Sequence, residues 1–393
     1  MTEHTYAGKV AVAGIGATEF SKASGRSELR LATEAVDAAI RDAGIEPSEV
    51  QGMVTYSADT NPDIDIARAL GIGELTYMGR VHYGGGAALG VVQQAAMAVA
   101  TGVAEVVVVY RAFNERSGNR FGGGVQNRPV MPPAENAQFA WYSPVGLLTP
   151  ASWAAMFARR YMHATGATAE ALGWVSIADR RHAANNPNAW FHGKPITMDD
   201  YLASRWIVEP LRLLDCCQET DGGQAVVITS LERARDLPQP PAVIKAVAQG
   251  SWKGQDMMTS YYRDDMAHLP EMGLVARQLY ETAGIGPGDV QTAVLYDAFT
   301  PFVLFTIEEF GFCGWGEAKD FVRDGNIEIG GSLPINTHGG QLGEAYLHGV
   351  NGIAEGVRQV RGTSVNQVDG VEHVVVTAGT GVPTSGMILS PDR

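Results

Sequence analysis

The hydrophobic pattern of the chain changes period in a regular way. Amphipathic stretches with apolar residues three and four apart give way, after a glycine and a proline, to short β-branched runs. Residues 38–58, AAIRDAGIEPSEVQGMVTYSA, and residues 278–298, QLYETAGIGPGDVQTAVLYDA, follow this grammar and align without a gap. Ala43, Gly44 and Ile45 match Ala283, Gly284 and Ile285, Pro47 matches Pro287, and Tyr56 falls on Tyr296. Each copy predicts a helix closed by a glycine at its C′ position, a proline turn and a strand. The alternation recurs downstream. Gly84, Gly85 and Gly86 open the helical run AALGVVQQAAMAVATG, followed by the strand EVVVVY, and glycines also open the helix around VNGIAEGVRQVRG, followed by HVVVTAG. Strands that are apolar on both faces belong in a sheet covered on both sides. The pattern predicts a duplicated α/β protein of layers α/β/α/β/α.

Residues 111–215 break the pattern. They are rich in Trp, Tyr, Met, Asn and Pro, with short helices such as SWAAMFARRYMHA between irregular loops. A long insertion of this kind covers a ligand site or fills a small core of its own. The expected division is a first half of residues 1–110 with 216–245, an inserted loop domain of 111–215, and a second half of 246–393. Composition narrows the function. A net charge of -14 argues against a nucleic-acid surface, which needs clustered Lys and Arg, though one anionic ligand remains compatible with a locally basic pocket. No apolar run reaches membrane-spanning length, and three cysteines, two of them adjacent, make no disulfide framework. A reducing cytoplasm is the expected compartment.

The segments RRHAANNPNAWF and PITMDDYLASRWIVEPLRLLDCCQETDGGQAVVITS, residues 180–191 and 195–230, carry a specific resemblance. The chain resembles the thiolase superfamily, in its sterol-carrier or lipid-transfer branch, over nearly its whole length. The resemblance implies the thiolase fold, a duplicated five-layer α/β architecture with an inserted loop domain, and a homodimer pairing through a central strand. It also implies four active-site loops, and this sequence departs from the thiolase pattern in each. Where the nucleophilic Cys would stand, GRVHYGGGAALG offers His82 or Tyr83. YDAF places Tyr296 where Asn or His would be, and NTHGGQLGEAYLHGVNG places Tyr346 where the catalytic His would be. TAGTG has Ala378 in place of the second Cys.

Those losses set the chemistry. Acyl transfer needs a soft nucleophile that also leaves well, and none is present in these loops. Breaking a bond between the α-carbon of a thioester and a β-hydroxyl carbon needs only a base, an acid and an oxyanion site. Two phenols can serve, although each has an unperturbed pKa near 10, so ionising one at pH 7 needs help from a neighbour. His338 and His348 flank Tyr346 and are the expected helpers. No lysine in the four loops supports a Schiff base, and the dispersed histidines suggest no metal site.

Relatives with these tyrosines look like aldolases that cleave a 17-hydroxy steroid acyl-CoA to a 17-ketosteroid and propionyl-CoA. The resemblance implies an OB-fold/zinc-ribbon partner domain of an acyl-CoA hydratase, a heterotetramer built on the homodimer, and no cofactor beyond the CoA of the substrate. Tyr296 and Tyr346 are the expected acid/base pair, in either order. His82, Asp297, His338 and His348 are expected around the pocket, with Asp297 orienting a neighbour or capping a helix near Pro301. Gly339, Gly340, Gly379 and Gly381 bring backbone N–H groups to the thioester or make the turns. Tyr56 is expected to pack with its hydroxyl at the surface. The alternative is a non-catalytic sterol or acyl-CoA carrier of the same fold, and a decarboxylase or condensing enzyme without Cys is a third reading.

Overall fold

The computed structural model describes residues 6–82, 84–118, 120, 141–254, 263–381 and 384–393. Tyr83 lies outside the described residues. Nine strands form one mixed sheet: β1 (Val10–Ala17), β2 (Gly52–Tyr56), β3 (Tyr77–Val81), β4 (Val106–Asn114), β7 (Asp221–Ser230), β8 (Ala242–Gly250), β9 (Thr292–Val294), β10 (Val374–Ala378) and β11 (Thr384–Pro391). A separate hairpin pairs β5 (Trp206–Val208) with β6 (Leu211–Arg212).

The strand order, β3-β2-β4-β7-β1-β8-β11-β10-β9, makes the duplication visible. Counting outward from the β1/β8 junction, each half runs antiparallel, antiparallel, then parallel. The junction itself is only two residue pairs, Ala11 with Val243 and Val12 with Ala242. The two repeat copies fold alike. The helices Glu28–Ala43 and Pro270–Ala283 both end at a left-handed glycine, Gly44 and Gly284, each with φ 70°. A proline-led turn then delivers the chain into β2 or β9.

Five layers result. The helix Glu28–Ala43 covers the outer face of the first half and Pro270–Ala283 that of the second. Between the halves lie the helices Ala88–Ala100 and Val350–Arg361, each in contact with strands of both. The period of two explains why the first half-sheet must be covered twice. In β4, Val107 and Val109 join the central core while Val106, Val108 and Tyr110 join the outer one. Close approach of the outer helix depends on glycine. A Cβ on Gly16 would lie 2.1 Å from the Ala39 nitrogen, so Gly16→Ala is expected to lower stability by about 1–3 kcal/mol in a denaturant titration.

Within the segment between β4 and β7, the helix Ala169–Asn185 packs on the helix Thr300–Glu309 and on the turn Gly340–Gly343. Asp215, in the LLDCC motif, ties the segment down. Its carboxylate accepts bonds from the Tyr201 hydroxyl at 2.8 Å and the Thr300 hydroxyl at 2.6 Å. Burial pushes its pKa up to about 6 despite those bonds. Among the described residues no helix is long and apolar enough to cross a membrane.

Candidate active site

Strand β9 is short because side chains replace its ladder. The Leu295 N–H donates to Asn336 Oδ1 at 2.8 Å, and the Tyr296 N–H donates to the Thr377 hydroxyl at 3.1 Å. The chain stops there with the Tyr296 side chain buried at the start of both central helices. Its ring lies against Gly349, the residue before the helix Val350–Arg361, and its hydroxyl against Gly85, in the turn leading into Ala88–Ala100. The positive ends of two helix dipoles therefore meet at one phenol. A Cβ on Gly85 would stand 1.9 Å from the Tyr296 hydroxyl. Gly85→Ala must displace that oxygen, and kcat is expected to fall by about 10²-fold while the melting transition stays cooperative.

Tyr346 reaches the same point from the loop after Gly343. Its hydroxyl lies 3.2 Å from that of Tyr296, so the two phenols share a hydrogen bond. Tyr296 is the deeper member and Tyr346 is only partly buried. The Tyr346 N–H donates to the Thr220 hydroxyl at 3.2 Å. Its ring packs edge-on against His348, with ring centroids 5.1 Å apart, and against Phe113 at 6.3 Å.

His348 is held in a left-handed backbone conformation, φ 52°, that a non-glycine residue seldom adopts. Three contacts fix it. Phe113 stacks on its ring at 5.2 Å, the Tyr56 hydroxyl donates to its carbonyl at 3.4 Å, and Arg111 Nε donates to its Nδ1 at 3.1 Å. An arginine can only donate, so Nδ1 is the acceptor and the proton of the neutral ring sits on Nε2. That nitrogen faces Gly84, whose Cβ would lie 3.2 Å from it. Arg111 is itself anchored by Asp59 at 2.9 Å, with both side chains buried.

The electrostatics correct the expected role of His348. Burial holds the pKa of His348 well below its ordinary value, and the Arg111 charge adds to this, so it cannot be the cation that lowers a phenol. His338 is buried behind the loop, where its Nε2 stands 3.8 Å from Glu344. Both phenols are pushed up instead, burial being the main cause. The shared hydrogen bond pulls Tyr296 back down and raises Tyr346 further. In the resting site both hydroxyls carry their protons.

Other expectations also change. His82 is exposed in this chain, at the end of the edge strand β3, and its Nδ1 bonds the Ser57 hydroxyl at 3.1 Å. Asp297 does not cap the helix near Pro301, where no side-chain cap bond forms. It accepts the N–H groups of Gln341 and Leu342, at 2.8 and 2.9 Å, and so caps the turn that carries the Tyr346 loop. Asp179, buried beside it and raised by burial and by the Asp297 charge, holds the proton that the pair shares. Gly339 gives its N–H to Asn336 at 2.7 Å, which removes that group from the thioester. At Gly340 a Cβ would stand 2.2 Å from Asp297 Oδ2, so its absence makes room for that carboxylate. Gly379 and Gly381 keep left-handed backbones, with φ 116° and 140°, between β10 and β11. Tyr56 is fully buried, its hydroxyl on the His348 carbonyl and not at the surface.

Sequence reading passed over Arg111, Asp59, Phe113, Thr220 and Asp179. One local signal existed: EVVVVYRAFNE places an arginine directly after a fully apolar strand core, where a charge must have a buried partner. Among the described residues no cluster of three or more His, Cys, Asp or Glu could hold a metal ion. The three cysteines lie at positions 216, 217 and 313, none at the start of a central helix.

Residues 253–390 match the family model described as Thiolase C-terminal domain-like. A steroid side-chain-cleaving aldolase of Thermomonospora curvata is 66% identical, over 98% of this chain and 99% of its own. A 17-hydroxy-3-oxo-4-pregnene-20-carboxyl-CoA lyase of Mycobacterium tuberculosis is also 66% identical, over 97% and 99%. Among solved structures, an Ltp2-ChsH2(DUF35) aldolase superposes with a TM-score of 0.95 at 65% identity, covering 99% of each chain. Human mitochondrial 3-ketoacyl-CoA thiolase, at 14% identity and a TM-score of 0.70, shares the fold. A helix-start site with a phenol pair where thiolases carry Asn or His and the catalytic His, on a chain two-thirds identical to these aldolases, makes this protein a member of the thiolase superfamily, in its lipid-transfer branch of steroid side-chain-cleaving aldolases.

Proposed function

We propose that this protein is a retro-aldolase acting on a 17-hydroxy steroid acyl-CoA of the 17-hydroxy-3-oxo-4-pregnene-20-carboxyl-CoA type. It breaks the bond between the hydroxyl-bearing ring carbon and the α-carbon of the thioester, releasing a 17-ketosteroid and propionyl-CoA. The observation that carries the reading is the hydrogen bond between Tyr296 and Tyr346 at the start of both central helices.

The phenols work as a relay. One phenol oxygen accepts the proton of the substrate hydroxyl while its own proton passes across the 3.2 Å bond, and the other phenol protonates the α-carbon. The C–C electrons move onto the thioester as an enolate and return to form the new C–H bond. One proton enters and one leaves, so the dyad ends as it began, with no free phenolate at rest. Neutral, buried phenols suit this better than an ionised one. The enolate oxygen would be met by His348 Nε2–H and by the helix starts at Gly84 to Gly86. Tyr346, the more open member, places the substrate's entry on its side.

The reading extends to assembly. A similar chain solved as an Ltp2-ChsH2(DUF35) aldolase supports a DUF35 partner. The resemblance to the lipid-transfer branch implies that this partner is an OB-fold/zinc-ribbon domain, that the chain forms a homodimer within a heterotetramer, and that it works in the cytoplasm. No cofactor beyond the substrate's own CoA takes part. Incubating the chain with such a thioester, with and without the partner domain, tests the proposal. Equal amounts of ketosteroid and propionyl-CoA support it, and binding without products in both arms points to a carrier.

A further inference from the structure

Three residues project from one face of β4 and its continuation. Arg111, Phe113 and Glu115 are spaced two apart, and the first two already hold His348 and Tyr346. Glu115 follows directly. The β4/β7 register ends at Asn114 opposite Asp221, and Glu115 and Thr220 are the residues just beyond it on the two chains. Thr220 connects it to the dyad: its hydroxyl accepts the Tyr346 N–H, and its own N–H turns to the Glu115 carboxyl. Asp221 fixes the following turn by accepting the N–H groups of Arg116 and Ser117 at 2.9 and 3.0 Å.

Glu115 is 3% exposed, and its Oε2 has no hydrogen-bond partner. No counter-ion is bonded to it among the described residues. The nearby Lys22 gives its ammonium to Gln218 Oε1 at 3.1 Å and to the Glu219 carbonyl, and Arg120 pairs with Glu219 at 2.7 Å. Arg111 is committed to Asp59 and His348. The charges facing Glu115 are thus Glu219, which opposes its ionisation, and Arg111 and Lys22, which favour it, while burial outweighs them all. A buried carboxylate without a partner is costly, whereas a carboxylic acid is not, and the acid has an O–H to give. Both phenols lie within reach of its charge.

We propose that Glu115 works as a neutral carboxylic acid behind the tyrosine dyad, a positioning residue that acts through Thr220 on the Tyr346 loop and keeps negative charge away from the phenols during cleavage. The inference rests on the aldolase reading. The protonation state of Glu115 then matters: as an acid it leaves developing charge on the phenols unopposed, and as a carboxylate it repels that charge. The activity therefore falls as pH rises through the raised pKa of Glu115, a fall that the phenols, pushed up themselves, do not cause.

The test compares kcat/KM from pH 6 to 10 for wild type, Glu115→Ala, Glu115→Gln and Lys22→Gln, with thermal melts of each. Glu115→Ala should lose at least about tenfold in kcat at neutral pH with KM little changed. Glu115→Gln, a neutral group of the same shape, should recover most of that loss and lack the fall with rising pH. Lys22→Gln, by removing a cation that favours the carboxylate, should move the fall to higher pH. Equal impairment of Glu115→Gln and Glu115→Ala would overturn the neutral-acid role, even if the alanine variant folds poorly. Wild-type behaviour of both would overturn any role. If wild type itself yields no ketone, the aldolase reading fails and takes this inference with it, so the two failures are distinct.

Discussion

Tyr346→Phe is expected to fold and bind thioester as wild type does, and to lose roughly 10²–10⁴-fold in kcat. Tyr296→Phe should lose a similar amount. Neither change removes packing, because phenylalanine keeps the ring that lies against Gly349 or His348. What disappears is one oxygen of a relay in which each phenol depends on the other across 3.2 Å. The double variant should accordingly be little worse than either single one, since groups that act as a unit are not additive. Additive losses, each multiplying the other, would mean that the phenols act separately. The readout is single-turnover formation of the ketosteroid, which separates chemistry from product release.

Arg111→Met is expected to cost about 3–5 kcal/mol of stability, because it leaves the Asp59 carboxylate buried without its partner. The same change removes the donor to His348 Nδ1, and with it the hold on a left-handed loop residue. Activity should fall even where the variant remains folded. Pairing it with Asp59→Leu separates the two effects. Replacing both ions by apolar residues should recover much of the stability, while the lost donor to His348 keeps kcat low. A double variant that regains full activity would show that Arg111 serves the fold alone. Guanidinium titrations and kcat on the same preparations decide between these outcomes.

The sequence disclosed what local physics controls. Gly44 and Gly284 end their helices through backbone geometry that only a glycine takes readily, so the repeat reads directly from spacing. The phenols were legible because each stands in a loop whose resemblance to thiolases names the residue it replaces. What stayed hidden depends on distant pairing. Arg111 meets Asp59 across 52 positions and His348 across 237, and no spacing rule spans such gaps. Asp297, expected to orient a neighbour or to cap the helix near Pro301, is directed by tertiary packing to the turn at Gly340–Gly343. His338 neighbours Tyr346 in sequence yet lies behind the loop, because the intervening turn points the two side chains to different partners. His82 inherits the place of a nucleophile, but it sits where the edge strand ends and the chain is exposed. Glu115 gave no signal at all, since one carboxylate after a strand resembles any solvated turn residue.

C–C cleavage here proceeds by proton transfer between two neutral phenols, without a covalent intermediate. The most direct measurement follows a 17-hydroxy steroid acyl-CoA through one turnover in D₂O, with mass spectrometry of the small molecules and of the intact protein. The expected result is equal 17-ketosteroid and propionyl-CoA, a single deuterium on the α-carbon, and an unmodified protein mass throughout. An acyl or steroid adduct on the protein during turnover, or unchanged thioester alongside fully bound enzyme, would contradict it.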